Sequence, residues 1–162
     1  MVQTATMTLR SPAFEHHATI PTKYTEDGPD HSPPLRWEGV PEGTAELALI
    51  VDDPDAPTRE PWVHWVLYKI PPGTTELPES VPTRKLHLDT PRGALQGPNS
   101  WEIIGYRGPA PPRGHGTHHY HFKLYALDTP LEIPAGADKT TILQAIADRV
   151  LAKAELVGTY GR

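Results

Sequence analysis

The segment from Thr117 to Leu127, reading THHYHFKLYAL, constrains the fold of this chain more than any other. Its residues alternate, with Tyr120, Phe122 and Leu124 on one side of an extended strand and His119, His121 and Lys123 on the other. The pattern predicts a half-buried strand with one core-facing side. His118 shares the register of that side, where the strand leaves a loop rich in glycine and proline, within the longer stretch Gly105 to Asp128.

Two further apolar segments predict strands that are buried on both faces. Leu47 to Val51 is a continuous apolar run of strand length. In Trp62 to Ile70 both alternating faces are largely apolar, which predicts a central strand. The face that contains His64 is formed by Trp62, His64, Val66, Tyr68 and Ile70. Burial there lowers the pKa of a histidine unless a carboxylate offsets it, and a lone histidine in such a place is more often a satisfied core residue than a ligand.

The remaining segments predict turns and one helix. With 20 prolines and 13 glycines, the chain favours many turns over a helical bundle. Pro71 to Asn99 is predicted to be a long surface excursion with little strand content. Lys139 to Leu156 is predicted to be an amphipathic helix, capped by Asp138 or Thr140, because apolar residues recur at helical spacing. These apolar residues are Ile142, Leu143, Ile146, Val150 and Leu151.

Size and charge restrict the class of protein. A chain of 162 residues without a change in composition predicts one domain, residues 1–162. The net charge of -5, with acidic and basic residues interspersed, argues against a nucleic-acid partner. No apolar run is long enough to span a bilayer, and the first residues lack the apolar core of a signal peptide. A cytoplasmic protein is therefore expected.

Carboxylates follow the first buried strand, in the hexapeptide DDPDAP at residues 52–57. On its own this hexapeptide is more typical of a solvated turn with Asx hydrogen bonds. However, the short connection at residues 54–61 could bring a carboxylate to His64, and a His–Asp pair would form a polar patch at one end of the sheet.

Three kinds of chemistry compete for the histidine-rich stretch. The first is a metal site formed by His115, His118, His119 and His121, since imidazole suits zinc, copper or nickel, although no carboxylate in this segment completes a ligand set. The second is nucleophilic or P-loop chemistry, which is weak because the chain has no cysteine, no G-x-S-x-G and no P-loop motif. The third is a small anion pocket.

The anion pocket is supported by donors that lie beside a rigid backbone. The prolines of residues 108–112 preset the backbone, and the glycines at 114 and 116 permit close approach of a ligand. His118 and the Tyr120 hydroxyl can then donate to an anion, with His64 as a second imidazole. A nearby carboxylate would hold one histidine protonated or oriented.

Several motifs together resemble one family. They are DPDAP at 53–57, HW at 64–65 and GPAPPRGHGTHHYHFKLYALD at 108–128. SPPLRW at 32–37, GALQGPNSW at 93–101 and GYRGPAPP at 105–112 also occur in the expected order. This combination resembles the phosphatidylethanolamine-binding protein family, and specifically its bacterial and archaeal Raf kinase inhibitor-like branch.

The resemblance implies a mainly β protein, an antiparallel β-sandwich with a C-terminal helix and long loops, and a small pocket for phosphoryl head groups. It implies a cis bond between Ala56 and Pro57, which would bring Asp53 back beside His64. Glu102 stands where relatives often have glycine, and the C-terminal extension that gates the pocket in animal relatives has no clear equivalent. By position, the ligand-binding residues are Asp53, Asp55, Trp62, His64, Gly108, Ala110, Pro111, Pro112, His118 and Tyr120.

The function expected from these residues is binding of a small anion or phosphoryl head group, without catalysis or a cofactor. The expected ligand is phosphate-like or a phospholipid head group. A protein partner, either a kinase or a protease, and a homodimer follow only from the family resemblance. Two alternatives remain: a hydrolase or phosphoryl-handling enzyme that uses His64 and Asp53 as a base pair, and a metalloprotein that uses the histidines between 115 and 121.

Overall fold

The computed structural model describes residues 6–162, so that the predicted domain, residues 1–162, extends beyond the described part and stays a prediction. Within the described residues, one α-helix, α1 (Lys139–Ile146), and one short 3-10 helix (Thr22–Tyr24) accompany the strands. The strands are β1 (Thr8–Arg10), β2 (Leu35–Glu38), β3 (Glu46–Asp53), β4 (Trp62–Ile70), β5 (Glu76–Leu77), β6 (His87–Asp89), β7 (Arg92–Gly97), β8 (Thr117–Leu127) and β9 (Val150–Gly161).

The strands form two antiparallel sheets. The small sheet has the order β1-β2-β5, and the large sheet has the order β6-β7-β4-β3-β8-β9. Apolar side chains of the small sheet, including Leu9, Trp37 and Leu77, share a buried cluster with Leu49 and Phe122 of the large sheet. The predicted mainly β, antiparallel sandwich is therefore confirmed.

The other face of the large sheet is covered by α1. Ile142 and Ile146 of this helix lie in a second buried cluster with Ala48, Ile50 and Val66. Since β3 contributes alternate residues to both clusters, every one of its residues is buried. The prediction that β3 and β4 are central strands, buried on both faces, is confirmed.

The predicted helix from Lys139 to Leu156 is wrong in its second half. The cap is as predicted, because the Asp138 carboxylate accepts a hydrogen bond from the Thr141 N–H at 2.9 Å. However, α1 ends at Ile146, and β9 then pairs with the full length of β8. Val150 and Leu151, counted as part of the apolar helix face, are each 38% exposed. From Ala152 onward, alternate residues enter the core, so that pairing with β8 overrides the local helical spacing.

The predicted surface excursion from Pro71 to Asn99 is also wrong, because it contains β5, β6 and β7. Its strand β7 pairs with β4 inside the large sheet. Gln96 of β7 is fully buried, and its side chain accepts from the Trp65 indole at 2.8 Å and donates to the carbonyls of Pro82 and Lys85. These partners satisfy the hydrogen-bonding groups of the buried Gln96 side chain. The short strands of this segment were not predicted because its many prolines and glycines indicate turns.

Candidate functional site

A cavity of about 230 Å³ lies at the end of the large sheet where β3 ends and β4 and β8 begin. Eight of the ten residues predicted for the site line it: Asp53, Trp62, His64, Ala110, Pro111, Pro112, His118 and Tyr120. Ala56, Pro57, Thr58 and Trp101 complete the lining, and no lysine or arginine is among these residues.

A β-bulge directs His64 into this cavity. Simple alternation predicts His64 and Val66 on one face of β4, but the pairing register with β3 shifts between Val51 and Asp52. On the β4 side of this shift, the His64 ring contacts Tyr120, on the face of the large sheet that packs against the small sheet. Val66 instead packs in the second cluster, beneath α1. The predicted face of His64 was therefore wrong, because a bulge inserts one extra residue and re-aims the side chains near it.

Asp53 and His118 form a buried ion pair or hydrogen bond across the two strand ends. Asp53 Oδ2 lies 2.6 Å from His118 Nδ1, and the two side chains are 4% and 2% exposed. The sequence prediction placed Asp53 beside His64 instead. The carboxylate therefore orients the other imidazole of the cavity, and it fixes Nδ1 of His118 as a donor.

The expected cis bond between Ala56 and Pro57 is wrong. In residues 6–162 the cis peptide bond precedes Pro91. The loop after β3 instead turns through hydrogen bonds: Asp53 Oδ1 accepts from the Asp55 N–H at 2.8 Å, and the Thr58 N–H donates to the Ala56 carbonyl at 2.7 Å. An Asx turn therefore performs the reversal that was attributed to the proline.

His115 forms a hydrogen bond with the second ring nitrogen of His118, Nε2. His115 Nδ1 lies 2.6 Å from His118 Nε2, although His115 itself is exposed. The glycines on either side, Gly114 and Gly116, have φ angles of +76° and +92°, which favour glycine. A chain of three groups, Asp53, His118 and His115, thus runs from the buried floor of the cavity to solvent.

His64 is held differently, by a backbone carbonyl. Its Nδ1 lies 2.6 Å from the carbonyl oxygen of Arg107, which can only accept, so Nδ1 carries a proton. Burial lowers the pKa of His64 to about 4, against a smaller opposing effect of the Arg107 carbonyl and of Asp53. The ring is therefore neutral at pH 7, and its Nε2 presents a lone pair.

Tyr120 supplies a hydroxyl to the same cavity. Burial, and secondarily the negative charge of Asp53, raise its pKa well above the ordinary value, so the phenol stays protonated. Among the hydrogen bonds of residues 6–162 this hydroxyl has no partner. The ring packs edge-on against His64, with centroids 5.1 Å apart. Tyr120 therefore offers a neutral donor.

An aromatic wall faces these polar groups, and sequence reasoning missed its central residue, Trp101. Its ring lies 5.5 Å from Trp62 and 5.0 Å from His64, and the Arg107 guanidinium stacks over it at 4.8 Å. Buried Asn99 fixes this loop by accepting from the Trp101 N–H at 3.0 Å. The motif GALQGPNSW contains Trp101, but no periodicity in this loop could show where the ring points.

The next residue, Glu102, has a φ of +63°. This left-handed conformation is the one that glycine adopts at low cost. Glu102, a departure from the family resemblance, therefore occupies a position whose backbone conformation favours glycine.

Gly108 supports the cavity from behind. Its N–H donates to the Asp30 carboxylate at 2.8 Å, and a Cβ at this position would lie 2.1 Å from the Tyr24 carbonyl oxygen. Only glycine fits there, and the close packing fixes the start of the 108–112 segment. Gly108 thus does not line the cavity, in contrast to Ala110, Pro111 and Pro112.

Asp55 is the other predicted site residue that lies outside the cavity. Its carboxylate accepts from the backbone N–H of His119 and lies 2.8 Å from His119 Nδ1, in an exposed pair. His121 lies 3.3 Å from Glu155. The histidines of β8 are thus separated by face, and the part of the chain from residue 6 onward contains no group of three or more His, Cys, Asp or Glu arranged to hold a metal.

The architecture is that of a two-sheet antiparallel sandwich with a histidine- and aromatic-lined cavity at the strand ends. Residues 10–161 match the family model described as phosphatidylethanolamine-binding protein. The chain belongs to this family.

Similar proteins agree with this assignment. A protein of Methanothermobacter thermautotrophicus, named as a UPF0098 protein, is 48% identical over 96% of this chain and 99% of its own length. Escherichia coli YbcL, described as a member of the mammalian PEBP family, has a TM-score of 0.87 and 32% identity, covering 96% of this chain and 98% of its own. CT736 of Chlamydia trachomatis, described as a candidate phosphatidylethanolamine-binding protein homologue, has a TM-score of 0.86 and 38% identity, covering 99% of both chains.

Proposed function

We propose that the cavity binds a small phosphate-like anion, either free phosphate or a phosphoryl head group, and that the protein acts by binding. The observation that supports this proposal is the convergence of His118, Tyr120 and His64 beside the rigid backbone of residues 110–112. Hydrogen bonds from preset groups, rather than lysine or arginine, would hold the ligand, since the lining contains neither.

His118 is the central donor in this proposal. With Nδ1 bound to Asp53, an imidazolium at His118 would offer Nε2–H to an anion in the place that His115 now occupies. The hydroxyl of Tyr120 would donate to the same ligand. The carboxylate of Asp53 would repel an anion if it were free. However, its Oδ2 is hydrogen-bonded to His118 and its Oδ1 accepts from the Asp55 N–H, so neither oxygen is without a partner.

Titration calorimetry with inorganic phosphate and phosphoethanolamine tests the proposal. Replacing His118 by alanine should weaken binding at least about tenfold, because a charge-assisted hydrogen bond is lost. His87→Ala is the matched control, since His87 is exposed on β6 at the far edge of the large sheet. Equal heats from wild type and His118→Ala would reject the site. Phosphoethanolamine bound more tightly than phosphate would favour the head group as the source.

The enzymatic alternative lacks its base pair. It required His64 and Asp53 to act together, but Asp53 pairs with His118 and His64 Nδ1 contacts the Arg107 carbonyl. Of the hydroxyl groups that line the cavity, that of Thr58 donates to the Glu60 carbonyl at 2.5 Å, and that of Tyr120 is neutral because burial raises its pKa. We therefore propose binding without turnover.

We also propose, from the sequence alone, a kinase or protease partner, a homodimer and a cytoplasmic location. No helix among residues 6–162 has the length and apolar character needed to span a membrane. Regulation of a kinase or protease, homodimer formation and a cytoplasmic location would be checked by co-purification, sedimentation and cell fractionation, respectively.

A further inference from the structure

We propose that the cavity selects an oxyanion that still carries a proton, such as the monoanion of phosphate or of a phosphomonoester, because His64 can only accept a hydrogen bond from the ligand. This inference rests on the proposed anion-binding function and specifies its ligand class. The residue that determines the specificity would be His64, and the group that it recognises is a P–OH.

The backbone partner of His64 determines its tautomer. A backbone carbonyl has no proton to give, so the 2.6 Å contact between Nδ1 and the Arg107 oxygen requires the proton to reside on Nδ1. In a neutral imidazole the other nitrogen is then an acceptor. Among the hydrogen bonds of residues 6–162, Nε2 of His64 has no protein partner, and the ring lines the cavity.

The charged groups around His64 are already paired with one another. The cavity lining contributes the carboxylate of Asp53, the imidazole of His118 and the phenol of Tyr120. Outside the lining, the Arg107 guanidinium stacks on Trp101 and pairs with Glu26 at 3.3 Å. Asp52, the remaining nearby carboxylate, is bound by Lys139 at 2.7 Å and Lys123 at 3.5 Å. In the described part of the chain, no lysine or arginine lines the cavity that His64 faces, and the nearby Arg162 is paired with Asp27 at 2.9 Å. A second negative charge on the ligand would therefore have no lysine or arginine partner.

The donors and the acceptor of the cavity match a phosphomonoester monoanion. His118 and Tyr120 provide donors for two oxygens, and His64 provides one acceptor for a hydroxyl. A phosphomonoester monoanion has all three complements, whereas a sulfate ester has only acceptors. A sulfate oxygen beside Nε2 would leave two lone pairs facing each other in a buried site, a mismatch that we expect to weaken binding about 10- to 100-fold.

Methyl phosphate and methyl sulfate are probes whose difference in affinity reports the contribution of the P–OH proton. They are close in shape, and below a pH of about 6, where a phosphomonoester gains its proton, both carry one negative charge. Calorimetry at about pH 5.5 should show methyl phosphate bound at least about tenfold more tightly than methyl sulfate. At about pH 8 methyl phosphate has lost the proton, and the ratio should fall towards one.

The ratio also removes the effect of the protein's own titrations. Both probes meet the same protein at each pH, and methyl sulfate keeps one charge throughout, so any change in the protein itself affects both titrations. His64 remains neutral across this range, because its pKa is about 4. Dimethyl phosphate, a monoanion without a proton, should bind as weakly as methyl sulfate.

The variant His64→Gln tests the acceptor directly. A glutamine amide can either donate or accept, so methyl sulfate should bind this variant nearly as well as methyl phosphate does, with thermal unfolding confirming that the variant is folded. Equal binding of the two probes to the wild type at pH 5.5 would overturn the selection while leaving anion binding intact. Binding of neither probe would overturn the proposed function as well.

Discussion

Two Asp–His pairs lie close together in the sequence but differ in their exposure to solvent. Asp53 and Asp55 are two residues apart at the end of β3, and their partners His118 and His119 are adjacent on β8. Asp53 and His118 meet at 2.6 Å with side chains that are 4% and 2% exposed, whereas Asp55 and His119 meet at 2.8 Å with side chains that are 42% and 48% exposed. The alternation of β8 separates them, because it turns His118 inward and His119 outward. The same chemical pair is thus part of the cavity in one case and a surface contact in the other.

A second comparison lies inside the cavity, between its two imidazoles. The partner of His118 Nδ1 is a carboxylate, which can hold an imidazolium, and the partner of His64 Nδ1 is a carbonyl in a buried environment, which leaves the ring neutral. The two histidines therefore face a ligand with opposite roles, one as a donor and the other as an acceptor. The nature of the second hydrogen-bond partner decides the role of each ring.

The largest effect is expected from removing the buried carboxylate. Asp53→Ala leaves a buried His118 without its partner and breaks the Asx turn, so it should lower the free energy of unfolding by about 3 kcal/mol. Asp55→Ala removes an exposed pair and should cost less than about 1 kcal/mol. Urea unfolding of the two variants measures the difference, and similar losses from both would show that burial does not distinguish the pairs.

The next effect is the pH dependence that His64 imposes on stability. Its folded pKa of about 4 lies below the ordinary value of 6.5, so the unfolded state binds more protons between these values. Stability should therefore fall as the pH drops from about 6.5 to about 4, by up to about 3 kcal/mol from this group. Unfolding of His64→Gln should lack this component, and identical pH slopes in wild type and variant would contradict it.

A smaller effect is expected at the hydroxyl of Tyr120. Tyr120→Phe keeps the ring that packs against His64 and removes only the donor. Phosphate affinity should fall about 5- to 10-fold, equivalent to one hydrogen bond of about 1 kcal/mol, with little change in thermal stability. Tyr160→Phe is a suitable control, since its hydroxyl donates to the exposed carboxylate of Asp27. An unchanged affinity in Tyr120→Phe would remove this residue from the site.

The smallest effect is expected at His115, and its sign is opposite. His115 occupies Nε2 of His118, so an anion has to displace it. Because this part-buried hydrogen bond contributes about 1 kcal/mol or less, His115→Ala should strengthen phosphate binding about two- to fivefold. Weaker binding in this variant, measured by the same calorimetry, would show instead that His115 contacts the ligand.

The sequence predicts those parts of the fold that follow from the spacing of apolar residues within a single strand. The alternation of β8 separated His118 from His119, and the apolar runs of β3 and β4 identified the central strands. The family resemblance, carried by motifs over most of the chain, named eight of the residues that line the cavity.

The errors arise where tertiary contacts override the local pattern. Nothing in the spacing of Val150 and Leu151 indicates that they begin a strand, because β9 is selected by pairing with β8. The bulge that turns His64 inward depends on the register between β3 and β4. Likewise, the partner of Asp53 is decided by how three strand ends meet, which a linear reading of the sequence does not contain.

The most direct test of the opposite roles of the two histidines is a nitrogen–proton correlation spectrum of the imidazoles in 15N-histidine-labelled protein at pH 7, assigned with His64→Gln and His118→Ala. We expect His64 to be neutral with its proton on Nδ1, and we expect phosphate to shift the resonances of His64 and His118 while those of His87 stay unchanged. A proton on Nε2 of His64, or no shift of either cavity histidine at saturating phosphate, would contradict this expectation.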